Sequence, residues 1–183
     1  PVIVTNSDFR FIVTEQLQEI GIDPGAILIE PEGRNTAPAV LAAALYISNQ
    51  DPDATILVAP SDHIIPDIAA FHAAIITGLN ATKQGNMVTF GIKPTHPEIA
   101  YGYLELENNP TKGSVALKAF IEKPSKAYAK KMVDAGSFLW NAGIFLFRTH
   151  DITSAFDEHA PAIKSHVSKA LKASTNDLGF CRL

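Results

Sequence analysis

Five short polar segments of this 183-residue sequence carry side chains able to do chemistry. Glu30-Pro31-Glu32-Gly33-Arg34-Asn35-Thr36-Ala37-Pro38 runs from an apolar stretch into a helical pattern. The N–H groups of a helix start, with Arg34 beside them, suit a phosphate or a base edge. A plain loop capped by Asn35 or Thr36 would read the same way. Pro60-Ser61-Asp62-His63 follows the most apolar stretch of the chain. A carboxylate at a strand end can hold a hard cation such as Mg²⁺ against phosphate oxygens, or it can cap a local turn. In Phe120-Ile121-Glu122-Lys123-Pro124 an acceptor of sugar hydroxyls stands next to a point charge for phosphate. As strand neighbours, their side chains are expected to diverge, and a solvated charge pair is the alternative. Asn141 is a lone amide in the aromatic run Leu139-Trp140-Asn141-Ala142-Gly143-Ile144-Phe145, so it needs a partner, protein or ligand. Gly143 permits a close approach there. Tyr101-Gly102-Tyr103 would let a sugar lie on the backbone at Gly102, or mark a bulge.

These segments need a scaffold, and apolar periodicity supplies one. Val2–Val4, Ala26–Ile29, Thr55–Ala59 and Met87–Phe90 read as strands. Helical patterns lie between them: a stripe of Phe9, Ile12, Val13, Leu17 and Ile20; Thr36–Ser48; and Asp67–Thr82, with Ile68, Phe71, Ile75, Ile76 and Leu79 inward. Thr55–Ala59, apolar on both faces, reads as a central parallel strand. Strand–helix alternation with short links predicts a parallel α/β sheet. After residue 93 the pattern turns β-rich. Tyr101–Glu107 and Ser114–Glu122 flank a turn at residues 108–113. A helix is expected over Ser125–Asp134 and a strand over Phe138–Phe147, with helical patterns again from Asp151 and Ala162. One sheet is expected to be shared by both halves. In such sheets ligands sit outside the carboxyl ends of the strands, which is where the polar segments fall.

Composition narrows the classes. Hydrophobic residues at 46% and charged residues at 19% are ordinary globular usage, which excludes intrinsic disorder. A net charge of −4 argues against a nucleic-acid coat or a polybasic membrane binder. No apolar run reaches membrane-spanning length and no leader peptide is visible. Cys181 is the single cysteine, which excludes an internal disulfide and suits a reducing, cytoplasmic compartment. No Walker loop, Gly-x-Gly-x-x-Gly or Gly-x-Ser-x-Gly string is present. The chain opens in mid-strand on Pro1-Val2-Ile3-Val4, which suggests that it is cut from a longer one.

Taken in order, the segments resemble the mannose-1-phosphate guanylyltransferases, in particular the bacterial type often fused to a phosphomannose isomerase domain. The matching pieces are Val4-Thr5-Asn6 with Phe9-Arg10-Phe11; Glu30-Pro31 with Arg34-Asn35-Thr36-Ala37-Pro38-Ala39; and Pro60-Ser61-Asp62-His63. Further on come Phe90-Gly91-Ile92-Lys93-Pro94-Thr95, Tyr101-Gly102-Tyr103, Phe120-Ile121-Glu122-Lys123-Pro124 and Trp140-Asn141-Ala142-Gly143-Ile144-Phe145. The resemblance covers nearly the whole chain.

The resemblance implies a Rossmann-like nucleotidyltransferase fold: a mixed, mostly parallel sheet with helices on both faces, incomplete at both ends. It implies one domain over residues 1–183, with residues 1–92 as the nucleotide half and 93–183 as the sugar-phosphate half. The reaction would be GTP plus mannose 1-phosphate giving GDP-mannose and pyrophosphate, with Mg²⁺ as cofactor. Asp62 carries over as metal ligand and catalytic group, and Lys123 as the catalytic phosphate contact. Arg34, Asn35, Thr36, Ala37 and Ser61 carry over to the nucleotide, and Tyr101, Gly102, Glu122 and Asn141 to the mannose. Nucleic acid and membrane are not expected as partners, and a homo-oligomer is left open. Ile99-Ala100 stand where family members have Thr-Gly. The family's glycine-rich Arg-Leu-Trp-Pro signature would lie before Pro1, and its second metal-binding aspartate beyond Leu183. These residues alone are therefore expected to be inactive. Three rivals stand beside this reading: another sugar-1-phosphate nucleotidyltransferase, a non-catalytic ligand-binding or regulatory module of the same fold, and a plain α/β binding domain.

Overall fold

A computed structural model describes residues 1–108 and 113–183. The elements run β1 (Val2–Asn6), α1 (Arg10–Glu19), β2 (Ala26–Glu30), α2 (Thr36–Ser48) and β3 (Thr55–Val58). Next come α3 (Ile68–Thr82), β4 (Val88–Ile92), β5 (Tyr103–Leu106), β6 (Leu117–Ile121) and α4 (Lys126–Ala135). The chain closes with β7 (Phe138–Arg148), α5 (Thr149–His159), α6 (Pro161–Lys172), β8 (Thr175–Asp177) and β9 (Phe180–Arg182). Residues 109–112, and with them most of the turn expected at 108–113, lie outside the described residues. No helix among the described residues is long and apolar enough to cross a membrane.

Two compact units form, Pro1–Ala54 with Thr149–Leu183, and Thr55–Arg148. The first holds a sheet of order β1-β2-β9-β8. β1 and β9 both pair with β2 in parallel, and β8 closes on β9 antiparallel. β2 is buried on both faces, as a near-continuous apolar run requires. Leu28 packs with Leu41 and Ala42 of α2 and Val167 of α6. Ile27 and Ile29 face the other way, onto Phe180 with Ile3 and Val13. Helices thus lie on both faces of this sheet. The α1 stripe is less buried than its spacing predicts. Val13 reaches the sheet and Phe11 lies edge-on to Phe180 at 5.6 Å, while Phe9, Ile12 and Ile20 stay exposed. Phe9 and Ile20 fall beyond the ends of the helix and so leave its face.

The second unit holds a sheet of order β3-β7-β5-β6, with β4 also on β7. All of these pairings are antiparallel. Three expectations change here. The mixed α/β class stands, but parallel pairing among the described strands is confined to β1–β2 and β2–β9, so the sheets are not mostly parallel. β3 is not a central parallel strand. It runs antiparallel to β7, from Thr55 opposite Arg148 to Val58 opposite Phe145. The β-rich half and the first strands do not share one sheet; there are two. The physical reason lies in β7, whose 11 residues are long enough to serve β3, β4 and β5 at once. An apolar run reports burial and leaves strand direction open.

Caps fix the helices that frame this sheet. The Asp67 carboxylate accepts from the Ala70 N–H at 2.8 Å at the start of α3. Ser125 opens α4 and Gly136, at φ 71, closes it. α3 packs through Phe71, Ile75, Gly78 and Thr82, while Ile68 and Ile76 point outward. Gly78 sets that face: a Cβ there would stand 3.1 Å from Leu146 Cδ2, so the helix sits as close to β7 as a glycine allows.

Candidate functional site

The second unit gathers four of the residues singled out above, Tyr101, Glu122, Lys123 and Asn141, around a fifth, Gly102. β5 and β6 pair Tyr103 with Ile121, so Gly102 lies opposite Glu122 just beyond the ladder. A Cβ on Gly102 would stand 2.9 Å from Phe120 Cζ and 3.1 Å from Glu122 Oε2. The missing side chain is what lets the Glu122 carboxylate lie against the backbone. On the other flank, the Gly102 carbonyl accepts the Asn141 backbone N–H at 2.8 Å. Tyr101, exposed, meets Trp140 edge-on at 5.4 Å. Lys123 follows Glu122 at φ 40. The two charges do not diverge as strand neighbours would, and Lys123 Nζ comes within 3.7 Å of Glu122 Oε1. β6 has already ended at Ile121, and the left-handed backbone of Lys123 turns its side chain back toward its neighbour. Both side chains are more than 60% exposed, so this pair contributes little on its own and is free to exchange for a ligand.

The approach to Gly102 is braced from below. Tyr103, fully buried, accepts the Glu98 N–H at 3.0 Å and donates to the Glu98 carbonyl at 2.9 Å. The Glu98 carboxylate takes the N–H groups of Ile99 and Ala100, which hold its pKa below the ordinary value. Ile99-Ala100 are therefore held by Glu98 here. No bulge interrupts the pairing at Gly102 itself; the register shift of β5 comes later, between Glu105 and Leu106. Replacing Gly102 with alanine should push the Glu122 carboxylate aside. If Glu122 holds a sugar phosphate, as the family resemblance implies, its KM would then rise about tenfold with kcat less affected, as loss of one charged hydrogen bond implies. Steady-state kinetics with the nucleotide held saturating checks this, and an unchanged KM would count against Glu122 as a ligand.

Ser61 and Asp62 stand exposed on the turn after β3 in the same unit. Pro60 packs on Gly143, where a Cβ would lie 3.7 Å from Pro60 Cγ. The turn therefore leaves the sheet beside β7, two residues from Asn141. Among the described residues no three His, Cys, Asp or Glu side chains gather into a metal cluster. A cation at Asp62 would draw its remaining ligands from phosphate oxygens and water, and one carboxylate with such a shell fits Mg²⁺.

In the first unit Arg34 and Asn35 lie between β2 and α2, Thr36 and Ala37 open α2, and all four are exposed. Arg34 Nη2 and Nε meet one Glu32 oxygen at 2.7 and 3.1 Å. Asn35 occupies the N-cap position but makes no capping side-chain bond, and it sits at φ 64, ψ 178. That region suits glycine, and holding an asparagine there costs of order 1–3 kcal/mol. The plain-cap reading of Asn35 is thus not what the structure shows. Nearby, burial raises the Glu30 carboxyl above its ordinary pKa.

Sequence reasoning missed Thr89, whose hydroxyl meets the Asn141 amide, and Phe120, whose ring covers Gly102. A lone hydroxyl in the strand Met87-Val88-Thr89-Phe90 was the available signal for the first.

Helices on both faces of a partly parallel sheet, with charged and polar side chains converging at strand ends in a second unit, define an α/β domain with a candidate ligand site. Residues 1–183 match the family model described as nucleotidyl transferase, and the chain belongs to that family. It is 44% identical over its whole length to the xanthan biosynthesis protein XanB of Xanthomonas campestris pv. campestris (strain B100), of which it covers 39%. It is 40% identical, again over its whole length, to a mannose-1-phosphate guanylyltransferase of Sinorhizobium fredii, of which it covers 36%. The chain thus spans less than half the length of these curated relatives. A crystal structure described as mannose-6-phosphate isomerase from Helicobacter pylori aligns with all of this chain and 70% of its own, with a TM-score of 0.89 at 30% identity. The mixed α/β nucleotidyltransferase fold and membership of the nucleotidyl transferases, both expected from the motif order, are borne out.

Proposed function

We propose that the protein transfers a guanylyl group from GTP to mannose 1-phosphate, giving GDP-mannose and pyrophosphate. The observation that carries this reading is the convergence on Gly102, where the Glu122 carboxylate and the Asn141 backbone meet beside Lys123. That set offers an acceptor for sugar hydroxyls, a polar anchor and a cation for the phosphate. A relative named mannose-1-phosphate guanylyltransferase, 40% identical along the whole chain, supports the choice of substrate. Residues 1–92 would supply the nucleotide contacts (Arg34, Asn35, Thr36, Ala37 and Ser61) and residues 93–183 the sugar-phosphate contacts. This division by ligand cuts across the two structural units.

In the reaction a phosphate oxygen of the sugar phosphate bonds to the α-phosphorus in line. The bond to the bridging oxygen breaks, and pyrophosphate leaves. Lys123 offsets charge on the sugar phosphate, and Glu122 and Asn141 orient the ring. Arg34 exchanges its exposed partner Glu32 for the nucleotide at little cost, since such surface pairs contribute about 0–1 kcal/mol. Asp62 would hold Mg²⁺, which when bound neutralises negative charge on the phosphate oxygens. A reducing, cytoplasmic setting fits the free Cys181.

Turnover of the full-length protein with mannose 1-phosphate and each of GTP, ATP, UTP and dTTP tests this reading. GTP should exceed the others in kcat/KM by about a hundredfold or more, because a site that hydrogen-bonds one base edge leaves polar groups unpaired against another. Preference for another nucleotide would assign a different sugar nucleotidyltransferase. Binding without turnover of any would assign a ligand-binding module.

A further inference from the structure

The Asn141 amide is polarised by a neighbour that no sequence motif marks. Thr89 of β4 donates its hydroxyl to Asn141 Oδ1 at 2.8 Å and shares it with the Ile144 carbonyl at 3.2 Å. These contacts come from a bulge. Thr89 pairs with Phe145 and Gly91 with Asn141, so three residues of β7 stand against one of β4. Gly143, at φ 68, lets the two extra residues fold out. The bulge brings the Asn141 side chain and the Ile144 carbonyl to the same hydroxyl, 52 and 55 residues along the chain. With Thr89 on its side-chain oxygen and its backbone N–H tied to the Gly102 carbonyl, Asn141 has both Nδ2 hydrogens and one Oδ1 lone pair left for a further partner.

We propose that Thr89 is a positioning residue that fixes the amide of Asn141 with its N–H donors toward the sugar phosphate, opposite the acceptor Glu122. The pair then presents one donor and one acceptor of fixed polarity, which selects among hydroxyl arrangements that a freely flipping amide would accept alike. This rests on the reading of Asn141 as a sugar contact.

The test uses full-length protein, with Thr89→Val, Thr89→Ser, Asn141→Ala and the double variant Thr89→Val/Asn141→Ala. Valine keeps the shape of threonine and removes the donor. It should raise KM for mannose 1-phosphate about tenfold, as loss of one buried hydrogen bond implies, and leave KM for GTP within about twofold. Serine restores the donor and should recover sugar-phosphate KM. In the Asn141→Ala background, Thr89→Val should change sugar-phosphate KM less than about twofold, because the two residues act as one unit. Asn141→Ala impaired and Thr89→Val indistinguishable from wild type would overturn the role of Thr89 alone. A valine effect that persists undiminished without Asn141, or that serine fails to rescue, would do the same. Asn141→Ala with unchanged sugar-phosphate KM would overturn the sugar-contact reading underneath.

Discussion

On the proposed guanylyl transfer, Asp62→Ala in the full-length protein should lower kcat for GDP-mannose formation about a thousandfold and change the KM of the sugar phosphate little. The carboxylate sits exposed on the turn that leaves β3, with Pro60 pinned against Gly143 of β7. That packing sets where the turn leaves the sheet, beside β7 and close to Asn141. The chemistry of the carboxylate is narrow. A phosphoryl transfer adds charge to oxygens that already repel the attacking phosphate, and removal of one electrostatic contact at that point costs about 10²–10³ in kcat. Stability should hardly move, because surface substitutions of this kind stay within about 0.5 kcal/mol. The check is kcat against Mg²⁺ concentration. The variant should need far more of the ion and never regain the wild-type plateau. Asp62→Asn keeps one oxygen and should fall between the two. A near-normal rate for the alanine variant would remove Asp62 from the metal site.

Much of this was legible in the sequence, for reasons that separate by residue. α2 runs over Thr36–Ser48 as its pattern predicts, because Pro38 suits a first turn and the apolar stripe has one reading. Gly102 was legible as a close-approach glycine because a residue without a Cβ between two tyrosines has few other uses; the structure adds that the Glu122 carboxylate is what approaches. β3 was misread in direction, since an apolar run on both faces is the same for parallel and antiparallel partners. The hairpin of β8 and β9 was not visible at all. Its strands have three residues each, and its turn puts Leu178 at φ 51 and Gly179 at φ 86, where asparagine–glycine is the usual signal. The link from Thr89 to Asn141 depends on a register shift that no periodicity encodes. Contacts made by strand pairing across 50 residues lie beyond what local spacing can report.

The second large effect belongs to Lys123. Lys123→Met should lower kcat/KM for mannose 1-phosphate about a hundredfold, the usual loss when a preorganised charge at a transferring phosphate is removed. Two features of the backbone make this test clean. Lys123 sits at φ 40, so any side chain but glycine carries the same conformational cost there, and methionine keeps the length of the stem. Its neighbour Glu122 is 3.7 Å away and exposed, so losing the pair leaves no buried charge behind. Lys123→Arg keeps the charge but replaces a point donor with a planar fork, and should recover only part of the rate. Lys123→Gly separates fold from function. Glycine relieves the left-handed strain while adding freedom to the unfolded chain, and these effects offset to within about 1 kcal/mol. The glycine variant should therefore melt within a few degrees of wild type, as about 1 kcal/mol implies for a protein of this size or larger, yet turn over as poorly as the methionine variant. Thermal unfolding and kinetics on the same preparations decide it. A glycine variant that keeps its rate would show that Lys123 serves the turn after β6 and not the phosphate.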